Sequence, residues 1–177
     1  MIALSVRQPW AWFILHAGKR HENRCWPKRY RALQMGRLER AGGVVMLHAS
    51  SGCGKGEYER ACAFAAACGI MEFPAYDKMR RGGLVGIMRI AVFVESSDSP
   101  WYMGHGALVI EDDPRSIEFI PLKGELGFFD VPAGLRCSTL TDARGVTVTD
   151  YAIKRSRRAT HNEPSQDIGQ ASLFPVS

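Results

Sequence analysis

Short apolar runs, rather than long amphipathic periods, carry most of this chain's hydrophobic residues, and that pattern most constrains its fold. The longest run, residues 84–94, is rich in Val and Ile and reads as a strand. Residues 44–49 form a shorter one, with the length and composition of a buried strand. Residues 2–6, 22–26, 107–110 and 117–120 read as further strands, with Pro27 stopping the second of these. Only two segments repeat at helical spacing. Trp10, Phe13, Ile14 and Ala17 do so between Pro9, which suits a first helical turn, and Gly18, which suits a C-terminal cap. Tyr58, Ala61, Cys62, Ala65 and Ala66 mark a second helix over 57–68, ended by Gly69. Residues 27–43, 70–83 and 96–105 read as loops, and 122–129 closes the core. With no regular alternation of strand and helix, this order predicts an α+β barrel of about five or six strands with two or more flanking helices.

Beyond residue 135 the pattern changes. Residues 141–151 have room for one strand, and 154–177 are polar and aperiodic. The reading is one folded domain over 1–135 and a mostly irregular, partly mobile tail over 136–177. Composition (46% hydrophobic, 23% charged) is that of a soluble globular protein, and no apolar run approaches the roughly 18 residues of a membrane span. The start of the chain shows no signal peptide. The five cysteines are odd in number and lack a Cys-x-x-Cys, which argues for a reducing, cytoplasmic compartment. The five histidines are dispersed without metal-ligand spacing, so neither a metal nor a cofactor is expected.

Lys19, Glu22 and Arg24 put two cations and a carboxylate within six residues. On a strand Glu22 and Arg24 point to one face, and Lys19 at the preceding bend can lean over it. Such a cluster can hold a hydrogen-bond-rich, anionic ligand, or it can be a salt-bridge cluster on a solvated strand. The net charge of +5 is uneven: residues 1–40 carry +7, residues 41–135 carry −4 and the remainder +2. Basic residues mixed with Trp10, Trp12, Trp26 and Tyr30 suit a nucleic acid, which offers phosphates to cations and base faces to aromatics. The turn over 50–56 is rich in glycine, but Gly56 stands where a phosphate loop needs Ser or Thr. It is either a simple turn into the helix or a place where free backbone N–H groups meet a phosphate.

Several segments together resemble the ASCH domain family of the PUA-like superfamily. They are Leu4-Ser5-Val6-Arg7-Gln8-Pro9-Trp10, Lys19-x-x-Glu22-x-Arg24, Leu47-His48-Ala49-Ser50, Ser99-Pro100-Trp101-Tyr102, and Lys123-Gly124-x-Leu126-Gly127-Phe128-Phe129. The likeness runs over about residues 2–132, with one departure: Gly18 directly precedes Lys19 instead of lying one residue earlier. The resemblance implies a small PUA-like β-barrel with a cleft lined by Lys19, Glu22 and Arg24. It adds Gln8, Trp10, His48, Ser50 and Trp101 as ligand-binding residues, and RNA or a modified nucleobase as partner. Some family members are amidohydrolases on acylated cytidine that use a lysine, a threonine and a glutamate. Here only Lys19 has a counterpart, since Glu22 stands at the threonine position and the strand over 84–94 holds no acid. Others are ribonucleases, a chemistry that needs a base for the 2′-OH and a cation for the phosphate.

The expected function is therefore binding of RNA or a nucleobase in a basic cleft. Lys19 and Arg24 would contact acceptors, Glu22 would accept from a base N–H, and Trp101 or Trp10 would stack. A metal-independent ribonuclease with Lys19, Glu22 and Arg24 as catalytic residues is the alternative. Near the end of the chain Gln170, Leu173 and Phe174 resemble the Gln-x-x-Leu-Phe peptide that docks on the bacterial sliding clamp, a second expected partner.

Overall fold

A computed structural model describes residues 1–111, 114–134, 136–141 and 147–152. Its centre is a parallel pair, β1 (Ile2–Val6) and β3 (Val44–Ala49), in register from Ile2↔Val45 to Val6↔Ala49. Period-two alternation sorts their side chains. Leu4, Val6, Val45 and Leu47 enter one core cluster, while Ala3 and Met46 enter a second on the opposite face. A sheet covered on both faces explains why these strands are almost wholly apolar.

β4 (Gly83–Val94) organises the rest. Its first half pairs antiparallel with β3 and with β6 (Arg115–Pro121). Its second half turns to pair with β5 (Ala107–Ile110), which in turn pairs with β2 (His21–Asn23). β7 (Phe128–Asp130) flanks β1, and β8 (Arg136–Thr141) and β9 (Thr147–Ala152) extend the sheet beyond β6. The path runs β7-β1-β3-β4-β6-β8-β9, with β5 and β2 branching from β4, and it stays open among the described residues. The fold is α+β, as expected. The described residues hold nine strands, more than the five or six predicted. β2 answers to the strand read over 22–26, whereas β7, three residues long, is too short for a period to register. β8 and β9 lie beyond residue 135, so the sheet continues past the boundary drawn from the sequence.

Among the described residues three α-helices accompany the sheet. α1 (Trp10–His16) follows Pro9, and Gly18 beyond it has φ +67°, the left-handed turn foreseen for a cap. α3 (Lys55–Ala67) matches the second predicted helix, begun two residues earlier. α2 (Lys28–Arg40) corrects the reading of 27–43 as a loop. Its residues are mostly strong helix formers, but only Gln34 and Leu38 are buried, so there was no apolar stripe to detect. Polar bonds dock it instead. Tyr30 Oη donates to the Leu126 carbonyl (3.3 Å), Gln34 Oε1 accepts from the Phe128 N–H (2.6 Å), and Arg37 meets Asp130 (3.2 Å). An aromatic third cluster of Phe13, Ala65 and Trp101, with Trp10, Trp12, Phe64 and Phe73 against it, joins α1 to α3. No described helix is long and apolar enough to cross a membrane. Gln170, Leu173 and Phe174 lie outside the described residues.

Candidate functional site

The carboxyl ends of the parallel strands β1 and β3 open into a cleft of about 910 Å³. Ser5 and Arg7 reach it from one strand, and His48, Ser50, Ser51 and Gly52 from the other. β2 supplies Glu22 and Asn23, and the chain just beyond β2 supplies Arg24 and Trp26. Trp10 of α1 and residues 124–127 complete the walls.

Glu22 sits at the floor, buried, with each carboxylate oxygen held by a different cation. Lys19 Nζ donates to Oε2 at 2.5 Å, and Arg24 Nη2 lies 3.1 Å from Oε1. Lys19 also donates to the His21 carbonyl at 2.6 Å and lies 5.6 Å from the Trp10 ring centroid. Only 1% of Lys19 is exposed, and it does not line the cleft. Burial pushes its ammonium below the usual lysine range, and the Glu22 charge opposes that push. Lys19 therefore orients Glu22 from behind, which corrects its expected role as a direct ligand contact. Arg24 Nη2 is fixed by the Ser5 carbonyl at 2.6 Å, and the guanidinium lies 5.7 Å from the Trp26 ring centroid. Its Nε, like Ser50 Oγ, is buried without a hydrogen-bond partner among the described residues. A carboxylate has room for about four accepted hydrogen bonds, so Glu22 can still take donors from a ligand.

His48 lines the cleft with both ring nitrogens engaged. Nε2 lies 2.8 Å from the Leu122 carbonyl, which can only accept, so the proton sits there. Nδ1 then accepts from Ser5 Oγ at 3.2 Å. Gly124 caps the pair: a Cβ there would lie 2.7 Å from both His48 Nδ1 and Ser5 Oγ.

Glu22, Arg24, Trp10, His48 and Ser50 thus line the cleft as expected from the sequence, and three residues expected there do not. Gln8 is buried, with Nε2 on the Arg80 carbonyl (3.0 Å) and Oε1 on the Trp12 N–H (3.1 Å), so it holds loops in place. Trp101 is packed against Phe13 and Phe64 in the third cluster, away from the cleft, so its ring is not available to stack on a base there. Lys19 is the third. Sequence reasoning missed Ser5 and Trp26 as site residues. Ser5 carried a signal, as a lone hydroxyl in an otherwise apolar strand. It also took the cleft to be basic. The lining holds Arg7 and Arg24 against Glu22, Glu57 and Glu125, and Arg7 is already paired with Glu57 at 2.8 Å. Most of the positive charge of residues 1–40 went to α2 instead. No protein-family model matches the chain, and no curated protein is similar to it.

Proposed function

We propose that the cleft is the nucleobase site of a PUA-like, ASCH-type barrel, taking one unpaired base of an RNA or a nucleoside. The observation that carries this reading is the buried carboxylate of Glu22, held on both oxygens and aimed into a cavity with aromatic walls. A near-neutral pocket with fixed acceptors and donors suits an uncharged, hydrogen-bonding heterocycle better than a phosphate. In this reading Glu22 accepts from a base N–H, Arg24 Nε and Ser50 Oγ donate to a base oxygen or ring nitrogen, and Trp10 and Trp26 bound the ring. Strand cleavage has less support. His48 Nδ1 is already engaged by Ser5 Oγ, and Lys19 is covered by Glu22.

The test is calorimetric titration of the full chain with the four ribonucleosides and with short single-stranded RNAs, with and without EDTA. At least one nucleoside should bind, and Glu22→Gln should weaken it by about tenfold or more, because an amide replaces a charged acceptor with one oxygen and two donors. A chain that binds no base in any of these forms, or a Glu22→Gln variant that binds as well as the parent, overturns the proposal.

A further inference from the structure

The cationic charge and the cleft are separated in this fold, and that separation bears on what the ligand is. This step rests on the cleft being a base site. A helix with five cations, Lys28, Arg29, Arg31, Arg37 and Arg40, and one acid, Glu39, runs beside the cleft. Its inner face is tied to the cleft wall, since Tyr30 bonds to Leu126 and Leu126 lines the cavity. Its first residue lies two positions after Trp26, another wall residue. Arg31 pairs with Glu95 (2.7 Å) and Arg37 with Asp130 (3.2 Å). Lys28, Arg29 and Arg40 are exposed and have no carboxylate partner among the described residues.

Positions 29, 33, 36 and 40 fall on one stripe of α2. Arg29 and Arg40 stand at its ends, about 16 Å apart at the helical rise of about 1.5 Å per residue. Between them are Leu33, 60% exposed, and Gly36, over which the Arg40 guanidinium lies, 3.5 Å from where a Cβ would stand. Lys28 and Arg29 stand side by side in the first turn of α2, where the positive end of the helix dipole adds to their field, and neither they nor Arg40 are held by a carboxylate among the described residues. A polyanion laid along the stripe neutralises these charges and releases counterions.

We infer that the outer face of α2 binds the sugar-phosphate backbone of a single RNA strand whose unpaired base enters the cleft, so that the ligand of this protein is an oligonucleotide and not a free nucleoside. The cleft reads the base without attracting phosphate. The helix holds phosphate without reading sequence, the division of labour expected when positioning and specificity are separated.

Fluorescence anisotropy with a labelled single-stranded RNA of about eight nucleotides, over about 50 to 300 mM KCl, tests this. The triple variant Lys28→Gln, Arg29→Gln, Arg40→Gln alters only exposed side chains, so it should fold normally, which circular dichroism checks. It should bind the RNA at least about tenfold more weakly at the lowest salt. Its slope of log K against log salt should be shallower by about two, near 0.7 per lost phosphate contact. Its affinity for a free nucleoside should be unchanged. Parental affinity and slope in the triple variant overturn the inference. So does a parent chain that binds RNA no tighter than a nucleoside, or competition by polyglutamate of equal charge as effective as that by RNA. If RNA binds through α2 while nucleosides fail and Glu22→Gln has no effect, the base site falls and the backbone surface stands.

Discussion

Lys19 is a lysine with 1% of its surface exposed, and its charge is tolerated there because three groups take up its donors and its field. Glu22, the His21 carbonyl and the Trp10 ring provide them. Removing one partner of a buried pair leaves the other charge uncompensated, at a cost of roughly 3–5 kcal/mol. Glu22 keeps Arg24 as a partner, so Lys19→Ala should fall at the lower end of that range. Urea unfolding of Lys19→Ala, Glu22→Gln and the double variant checks it. The double variant should be more stable than the sum of the two losses implies, because the charge left behind by Lys19→Ala is then gone. Additive losses would show that the two side chains do not act as a pair.

Among the elements, α2 is held least by hydrophobic burial and most by named polar contacts. Gln34 is the central one: it is buried, and its Oε1 accepts the Phe128 N–H at 2.6 Å where β7 begins. Gln34→Ala should leave that backbone donor unsatisfied, at about 1–3 kcal/mol. The loss should loosen residues 126–128 and, through them, the cleft wall. Hydrogen exchange should show faster exchange at Phe128 and along the Tyr30–Arg37 part of α2, while β1 and β3 remain protected. Unchanged exchange at Phe128 would mean that Gln34 does not hold α2 to β7.

At the scale of the whole molecule, stability should depend on pH through two histidines, chiefly His21, whose surroundings disfavour the cation. Partial burial and the nearby Lys19 charge hold His21 below its usual 6.5, and the desolvation of one ring face against Trp12 acts in the same direction on His16, whose surface is otherwise exposed. As pH falls through 6.5, the unfolded chain takes up protons at these positions before the folded one does. Stability rises with pH wherever the unfolded state binds more protons. The contribution is therefore complete above 6.5 and is lost as pH drops below it. Urea midpoints should fall between about pH 7.5 and 5.5, above the range where carboxylates titrate. His21→Gln should flatten that fall, and a midpoint independent of pH over this window would count against the assignment.

What could be read without the structure was whatever local chemistry dictates. Alternation and β-branched runs located β1, β3, β4 and β5, and the Pro9 and Gly18 brackets located α1, because backbone preferences act over a few residues. The grouping of Glu22 with Arg24 was legible because alternate positions of an extended chain share a face, although β2 itself ends at Asn23. Three decisions belonged to the tertiary structure. α2 forms on helix propensity and polar docking, which leave no hydrophobic period. Lys19 turned inward and Trp101 went into the aromatic cluster, since burial depends on what packs from distant strands and helices. The charge of residues 1–40 was split, with Arg24 in the cleft and most of the other cations on α2. Net charge is a sum over sequence, whereas the field a ligand meets is a sum over distances that only the fold sets.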